Sequence, residues 1–138
     1  MQSYTHAIYR VDVEPEPIFL RVGESSPELD RWLMARGADR CAFLSAANPG
    51  SEALSAEEND QRHLRLLERV AATGTAALAG ESYDEENGAW REASLLIVGI
   101  DRARAIALAL EFGQLALLLA ELGKPVELLF TSTTKNFR

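Results

Sequence analysis

Cysteine occurs once in this 138-residue chain, at Cys41, and histidine twice, at His6 and His63. One cysteine excludes an intrachain disulfide, and with two distant histidines it leaves none of the spacings that hold zinc, so neither metal nor cofactor is expected. Positive charge is also scarce: 14 basic residues face 21 acidic ones, for a net charge of -7. Proteins bind a phosphate backbone by letting lysine and arginine displace its counterions, and no basic patch appears, so nucleic acid is not an expected partner. The most apolar region, Ala103 to Ala120, is broken by Arg104, Glu111 and Gln114, whereas a spanning helix needs about 20 mostly apolar residues. No membrane partner is therefore expected. The first twenty residues contain Asp12, Glu14 and Glu16 and no long apolar segment, unlike a signal peptide. The expected location is the cytoplasm. There is also no glycine-rich phosphate loop or nucleophile elbow.

The chain does have enough apolar residues for a core. They make up 47% of it, beside 25% charged residues, the balance of a globular protein and not of a disordered one. A chain of this length buries roughly two thirds of the surface it exposes when unfolded. Residues 1–138, with no repeat or linker, are read as a single domain.

Alternation through Tyr9, Val11 and Val13, then the run Ile18 to Val22, predicts two strands broken at Pro15 and Pro17. Ser25-Ser26-Pro27-Glu28 predicts a helix start, with Leu29, Trp32 and Leu33 inward and Gly37 ending it. Cys41 to Ala47 reads as a buried strand. Ser55-x-x-Glu58 is a capping-box pattern, opening a helix that would turn Leu64, Leu67, Val70 and Ala71 inward and stop at Gly74. Thr75 to Tyr83 and Trp90 to Ile100 flank Asn87-Gly88, a strong hairpin signal. Asp101 caps a third helix, Arg102 to Phe112, with Ile106 and Leu110 inward. Leu115 to Ala120 and Val126 to Phe130 form a last hairpin around Glu121-Leu122-Gly123-Lys124-Pro125.

Helix crossovers join strands that run in the same direction, and hairpins reverse the chain. Cys41 to Ala47 and Thr75 to Tyr83 are thus expected to be parallel, and both antiparallel to Ala93 to Ile100. The predicted fold class is α/β, or α+β-like, with a mixed parallel and antiparallel sheet and about three helices. This arrangement gathers Asn48, Ser51, Asn59, Arg62, Glu92, Ser94 and Gln114 at one rim. A two-residue Asn87-Gly88 turn would set Tyr83 opposite Glu92 and Glu81 opposite Ser94. The opposite rim, near Arg40, Gly74 and Asp101, carries charged caps and turns. Ligands of open α/β sheets bind beyond strand ends near helix amino termini, which favours the Asn48 rim.

Each signal has a plainer reading. Asn48-Pro49-Gly50-Ser51 is either one wall of a polar site or turn punctuation. Glu92, entering a buried strand, is either a working acid/base carboxylate or a structural partner of Arg62. Asn59 and Arg62, one turn apart, hold either a ligand or the Asn48 loop. Gln114 bonds either the sheet edge or a ligand. His63 reads as a solvent-facing helix residue, Asp84-Glu85-Glu86 as a solvated hairpin tip, and Cys41 as a buried thiol without nucleophilic use.

Asn48-Pro49-x-Ser51 before a capped helix, Asn59-x-x-Arg62, Trp90-x-Glu92-x-Ser94 and Phe112-Gly113-Gln114-x-Ala116, in this order and spacing, resemble a bacterial family catalogued as domain of unknown function 3293, over Thr5 to Leu129. The resemblance implies a small single-domain bacterial protein without an established activity. Ala47 stands where members often carry an aromatic residue, Leu115 where an asparagine follows the glutamine, and Glu52 at a commonly basic position. A pocket lined by that aromatic and asparagine would be built differently here.

The functional expectation is a binding or regulatory module for a small polar ligand or a protein segment at the rim. The alternatives are a small hydrolase or transferase using Glu92 as general acid/base, and a structural protein whose amino-terminal strands pair with another copy.

Overall fold

The computed structural model describes residues 6–86, 88 and 90–131. Chain order is β1 (Ala7–Val11), β2 (Ile18–Leu20), α1 (Pro27–Ala35), β3 (Arg40–Ser45), a 3-10 turn (Pro49–Ser51), α2 (Ala56–Ala72), β4 (Ala77–Asp84), β5 (Arg91–Val98), α3 (Arg102–Glu111), β6 (Ala116–Glu121) and β7 (Glu127–Phe130). The helices begin where their caps are written. Ser26 Oγ accepts from Leu29 N at 3.2 Å, Ser55 and Glu58 close a reciprocal capping box, and Asp101 accepts from Arg104 N at 2.8 Å. Each cap satisfies an amide that the first helical turn leaves without a partner.

The sheet is not mixed. Its seven strands lie in the order β2-β1-β4-β5-β3-β6-β7 and every neighbouring pair is antiparallel. β3 and β4 do share a direction, but β5 lies between them and pairs with both. β3 in turn lies between β5 and β6. A crossover helix fixes direction and not adjacency: the α2 and α3 crossovers each skip one strand, and the α1 crossover skips three. The sheet curls into a half-barrel. Beyond its edge strands the chain nearly meets itself, since Gly23 N donates to Val126 O at 2.8 Å and Val126 N to Glu24 O at 3.0 Å.

Two cores follow from strand alternation. Inside the curl, Tyr9, Val11, Leu20, Cys41, Phe43, Leu96 and Leu118 pack with Leu29 and Leu33 of α1, which plugs the end of the half-barrel where Val11, Cys41 and Ala120 lie. Outside, Ala42, Leu44, Leu95, Ile97, Leu117 and Leu119 carry Leu66 and Val70 of α2 and Ala105, Ala109 and Phe112. Gly80 permits the curl. A Cβ there would stand 2.3 Å from Arg10 O and 2.8 Å from Phe43 Cε1, and the Phe43 ring in turn meets Tyr9 edge-on at 5.7 Å.

The inward faces of the two outer helices differ from expectation. Leu64 and Leu67 are exposed, and Leu66 and Val70 are the buried residues of α2. On α3, Ala105 and Ala109 are buried while Leu110 is exposed. The β4–β5 register also differs by one residue. Ser82 stands opposite Glu92, Gly80 opposite Ser94 and Tyr83 opposite Arg91, and Asp84 N donates to Trp90 O at 3.1 Å. The connection is therefore longer than a two-residue turn; Asn87 of the expected turn lies outside the described residues. Because side chains alternate, the shift moves Tyr83 and Glu81 to the face opposite Glu92.

Candidate functional site

The open end of the half-barrel lies opposite α1, where β3 ends and β5 and β6 begin. Asn48 occupies the left-handed region with φ 48°, a conformation that asparagine tolerates better than most residues with a side chain. Both polar atoms of its side chain are engaged. Oδ1 accepts from Leu54 N and Asn59 Nδ2, both at 2.9 Å, and Nδ2 donates to Glu92 Oε2 at 3.0 Å. Its backbone N–H donates to Asn59 Oδ1 at 2.9 Å. Asn59 thus sits one turn into α2 to receive and hold the loop.

Arg62 continues the same ridge of α2. Its guanidinium donates to Ala46 O and Phe112 O, tying the end of β3 to the end of α3. Burial, with a smaller contribution from Arg65, lowers its pKa. Gln114 Nε2 donates to Ala47 O at 2.9 Å and Phe112 O at 3.3 Å, and Gln114 O accepts from Thr131 Oγ1 at 2.8 Å. Between them Gly113, with φ 70°, lies against Pro49. A Cβ there would be 2.8 Å from Pro49 Cβ, and Gly113 O accepts from Gly50 N at 2.8 Å. The polar motifs interlock: the loop after β3, one face of α2 and the end of α3 are fastened through Asn48, Asn59, Arg62, Gly113 and Gln114.

Ser51 is exposed, with φ 64°, and takes part through its N–H, which donates to Asn48 O at 2.9 Å. Ser94 is buried inside the sheet. Its hydroxyl lies 2.7 Å from Ser82 Oγ and donates to Glu92 O at 3.2 Å. Arg62 was a candidate partner for Glu92, but its donors go to backbone carbonyls. His63 is half-buried, not solvent-facing; burial lowers its pKa, while Asp60 acts in the opposite sense. Glu85 of the acidic loop is paired with Arg21. Cys41 is buried, and burial pushes its thiol up to about 12, which suits an inert core residue.

Glu92 faces the inside of the curl and is 8% exposed. It lines a pocket of about 30 Å³ with Tyr9, Phe43, Ser45, Ser82, Trp90 and Gln114. Sequence reasoning missed Ser45, Ser82, Tyr9 and Phe43 as site residues. Their signal was strand parity: once Glu92 faces inward, the paired Ser82 does too. A larger depression of about 530 Å³ lies at the opposite rim. Its charged groups, Arg69 with Glu111 and Arg104 with Asp101, pair with one another at the exposed surface, so the smaller inner pocket is the better candidate. Among the described residues, no group of three or more His, Cys, Asp or Glu side chains could hold a metal ion, and no helix is long and apolar enough to cross a membrane.

A family model described as "Protein of unknown function (DUF3293)" matches residues 44–117, more than half of the chain. The chain belongs to the DUF3293 family. No curated protein and no solved structure matches it. The matched segment of this DUF3293 protein begins at Leu44, just before the locked loop, and ends at Leu117, just after Gln114. It contains the whole fastening and Glu92, while α1 and the outer strands β1, β2 and β7 fall outside it.

Proposed function

We propose that this DUF3293 protein is a bacterial, cytoplasmic binding module that takes a small polar group, from a ligand or a protein segment, into the open end of the half-barrel. The polar ridge holds the loop and Glu92 in place, and the pocket inside does the binding. The observation that carries the reading is Glu92: a carboxylate 8% exposed, lining a pocket with aromatic rings, two serines, Gln114 and aliphatic side chains. Burying a carboxylate is costly unless its oxygens are hydrogen-bonded. The Asn48 amide donates to one of those oxygens, Oε2, and holds the carboxylate at the mouth of the pocket. The pocket has room for a head group and not for a whole metabolite, since one water needs about 10–15 Å³ on this measure.

A second reading, a small hydrolase or transferase with Glu92 as general acid/base, draws on the same burial of Glu92. Against it, the Ser82 and Ser94 hydroxyls bond each other, Ser94 Oγ also donates to Glu92 O, and Ser45 Oγ accepts from Ala47 N, so the bonds of these three serines go to one another and to backbone and not to a general base. Pairing of two copies through the amino-terminal strands would use β2, an edge only three residues long, and short edges resist such pairing.

The test is a thermal-shift screen of small polar compounds against the wild type and Ala116→Leu, which fills the pocket from β6. A compound that binds only the folded state raises the melting temperature. The expected result is stabilisation that Ala116→Leu removes. Equal stabilisation of both proteins would place binding elsewhere.

A further inference from the structure

We infer that the depression at the opposite rim is a second binding site, separate from the pocket beside Glu92, and that it takes an uncharged aromatic molecule. It lies on the outer face of the sheet between α2, which packs over β5, and α3, which packs over β3 and β6. Residues 69–76, 97–101 and 104–111 supply its lining. That end of the sheet is the far one from His6, the β4–β5 connection and Thr131, where the described residues end. Its volume of about 530 Å³ falls within the range of about 300–1,000 Å³ usual for small-molecule pockets.

The charges along the groove answer one another. Arg69 donates through Nε and Nη2 to the two oxygens of Glu111, both at 2.7 Å, and this pair bridges α2 and α3 on the side nearer the open end. Arg104 lies 3.8 Å from one oxygen of Asp101, whose other oxygen caps α3. Among the described residues no other charged side chain lines the groove. Two positive and two negative groups leave no net charge for an ionic ligand to neutralise, and such a ligand would compete with a bidentate pair. The neighbouring polar groups are engaged as well. Thr73 Oγ1 donates to Val70 O at 2.7 Å and lies 2.8 Å from Thr75 Oγ1, while Gly74 N donates to Ala71 O and Gly99 N to Arg40 O. The rest of the surface is apolar: Val70 and Ile97 are buried beneath the groove, Ile100 and Leu108 are half-buried, and Ala107 is exposed along it. Bonding to Glu111 takes edge donors of the Arg69 guanidinium and leaves its faces, and such faces stack on aromatic rings. The pairing that makes this groove a poor place for a polar group thus suits an uncharged ring.

The experiment is an amide-resolved NMR titration of the wild type, Ala107→Trp and Glu111→Gln with benzyl alcohol, cyclohexylmethanol, benzoate and benzylammonium. Positions 107 and 111 are exposed on α3, so both variants keep the fold, and an unchanged amide spectrum away from the groove checks this. The expected result is that benzyl alcohol shifts the amides of Thr75, Val98, Gly99 and Leu108, leaves those of Ser45, Ser82 and Glu92 in place, and binds at least about threefold more tightly than the other three probes. Ala107→Trp fills the groove and should remove these shifts. Glu111→Gln frees the Arg69 fork, and benzoate should then bind more tightly than benzyl alcohol. Equal binding of cyclohexylmethanol would overturn the aromatic ligand. Equal binding of benzoate or benzylammonium to the wild type, or no gain for benzoate in Glu111→Gln, would overturn the requirement for an uncharged one. Groove amides that no probe shifts, or that shift alike in Ala107→Trp, would overturn the site itself, and the binding proposed at Glu92 would be untouched by that result.

Discussion

Replacing Asn48 with alanine should cost far more stability than its half-exposed place on a loop implies. The side chain makes three hydrogen bonds, to Leu54 N, Asn59 Nδ2 and Glu92 Oε2. A neutral bond contributes about 0.5–1.5 kcal/mol and one to a charged group about 1.5–3 kcal/mol. Alanine also takes poorly to the φ of 48°, adding about 1 kcal/mol. Allowing for relaxation of an exposed loop, the expected loss is about 3–4 kcal/mol, a large share of the 5–15 kcal/mol that a domain usually has. Asn48→Gly should recover about 0.5–1 kcal/mol of it, because only the backbone part is relieved. The assay is urea unfolding followed by far-UV circular dichroism, with stability extrapolated linearly to water. A loss below about 1 kcal/mol for Asn48→Ala would refute the reasoning, because the three bonds would then be replaced by water at no cost.

Three further outcomes follow from the packing and the titrating groups. Gly80→Ala should destabilise by about 1–3 kcal/mol through forced displacement of the Phe43 ring and strand β1, measured by the same unfolding curves. Leu66→Ala should cost about 2–5 kcal/mol and Leu64→Ala less than about 0.5 kcal/mol, since the first is buried and the second exposed. His63 has a folded pKa below its ordinary value of 6.5, so the unfolded chain binds the proton more readily. Its contribution is complete above about pH 6.5 and is lost as pH falls towards the lowered folded value. The drop in urea midpoint between about pH 7.5 and pH 5.5 should therefore be smaller in His63→Gln than in wild type.

Much of the local structure was legible because it is written in single residues. Ser26, Ser55 with Glu58, and Asp101 mark helix starts, and Gly74 and Gly113 mark helix ends, through local geometry that tertiary contacts did not override. Strand directions were legible from the alternation of crossovers and hairpins. Neighbour order was not, because direction leaves open whether β4 lies beside β3 or one strand away, and the sheet came out wholly antiparallel. The inward face of α2 was hidden because Asn59 and Arg62, which fasten the loop, share it with Leu66 and Val70. A helix that spends polar residues on its buried side weakens its own apolar stripe. On α3 the buried positions are alanines, which let the helix lie close to the sheet, while the larger Leu110 remains at the surface. At the hairpin, Asn87-Gly88 named a turn but not its length, and one extra residue moved Tyr83 and Glu81 off the Glu92 face. The candidate site was legible as a gathering of Asn48, Arg62, Glu92 and Gln114. Its division into a fastening outside and a pocket inside needed the curl of the sheet, which no local pattern encodes.

The central claim is that the rim residues act as one fastening, and a double-mutant cycle on Asn48 and Asn59 tests it most directly. The two side chains share the 2.9 Å bond from Asn59 Nδ2 to Asn48 Oδ1, and Asn59 also holds the Asn48 backbone. Unfolding free energies of Asn48→Ala, Asn59→Ala and the double variant should show a coupling of at least about 1 kcal/mol, with the double variant less damaged than the sum of the singles. Additivity within about 0.3 kcal/mol would contradict the account, leaving the two asparagines as independent loop and helix residues.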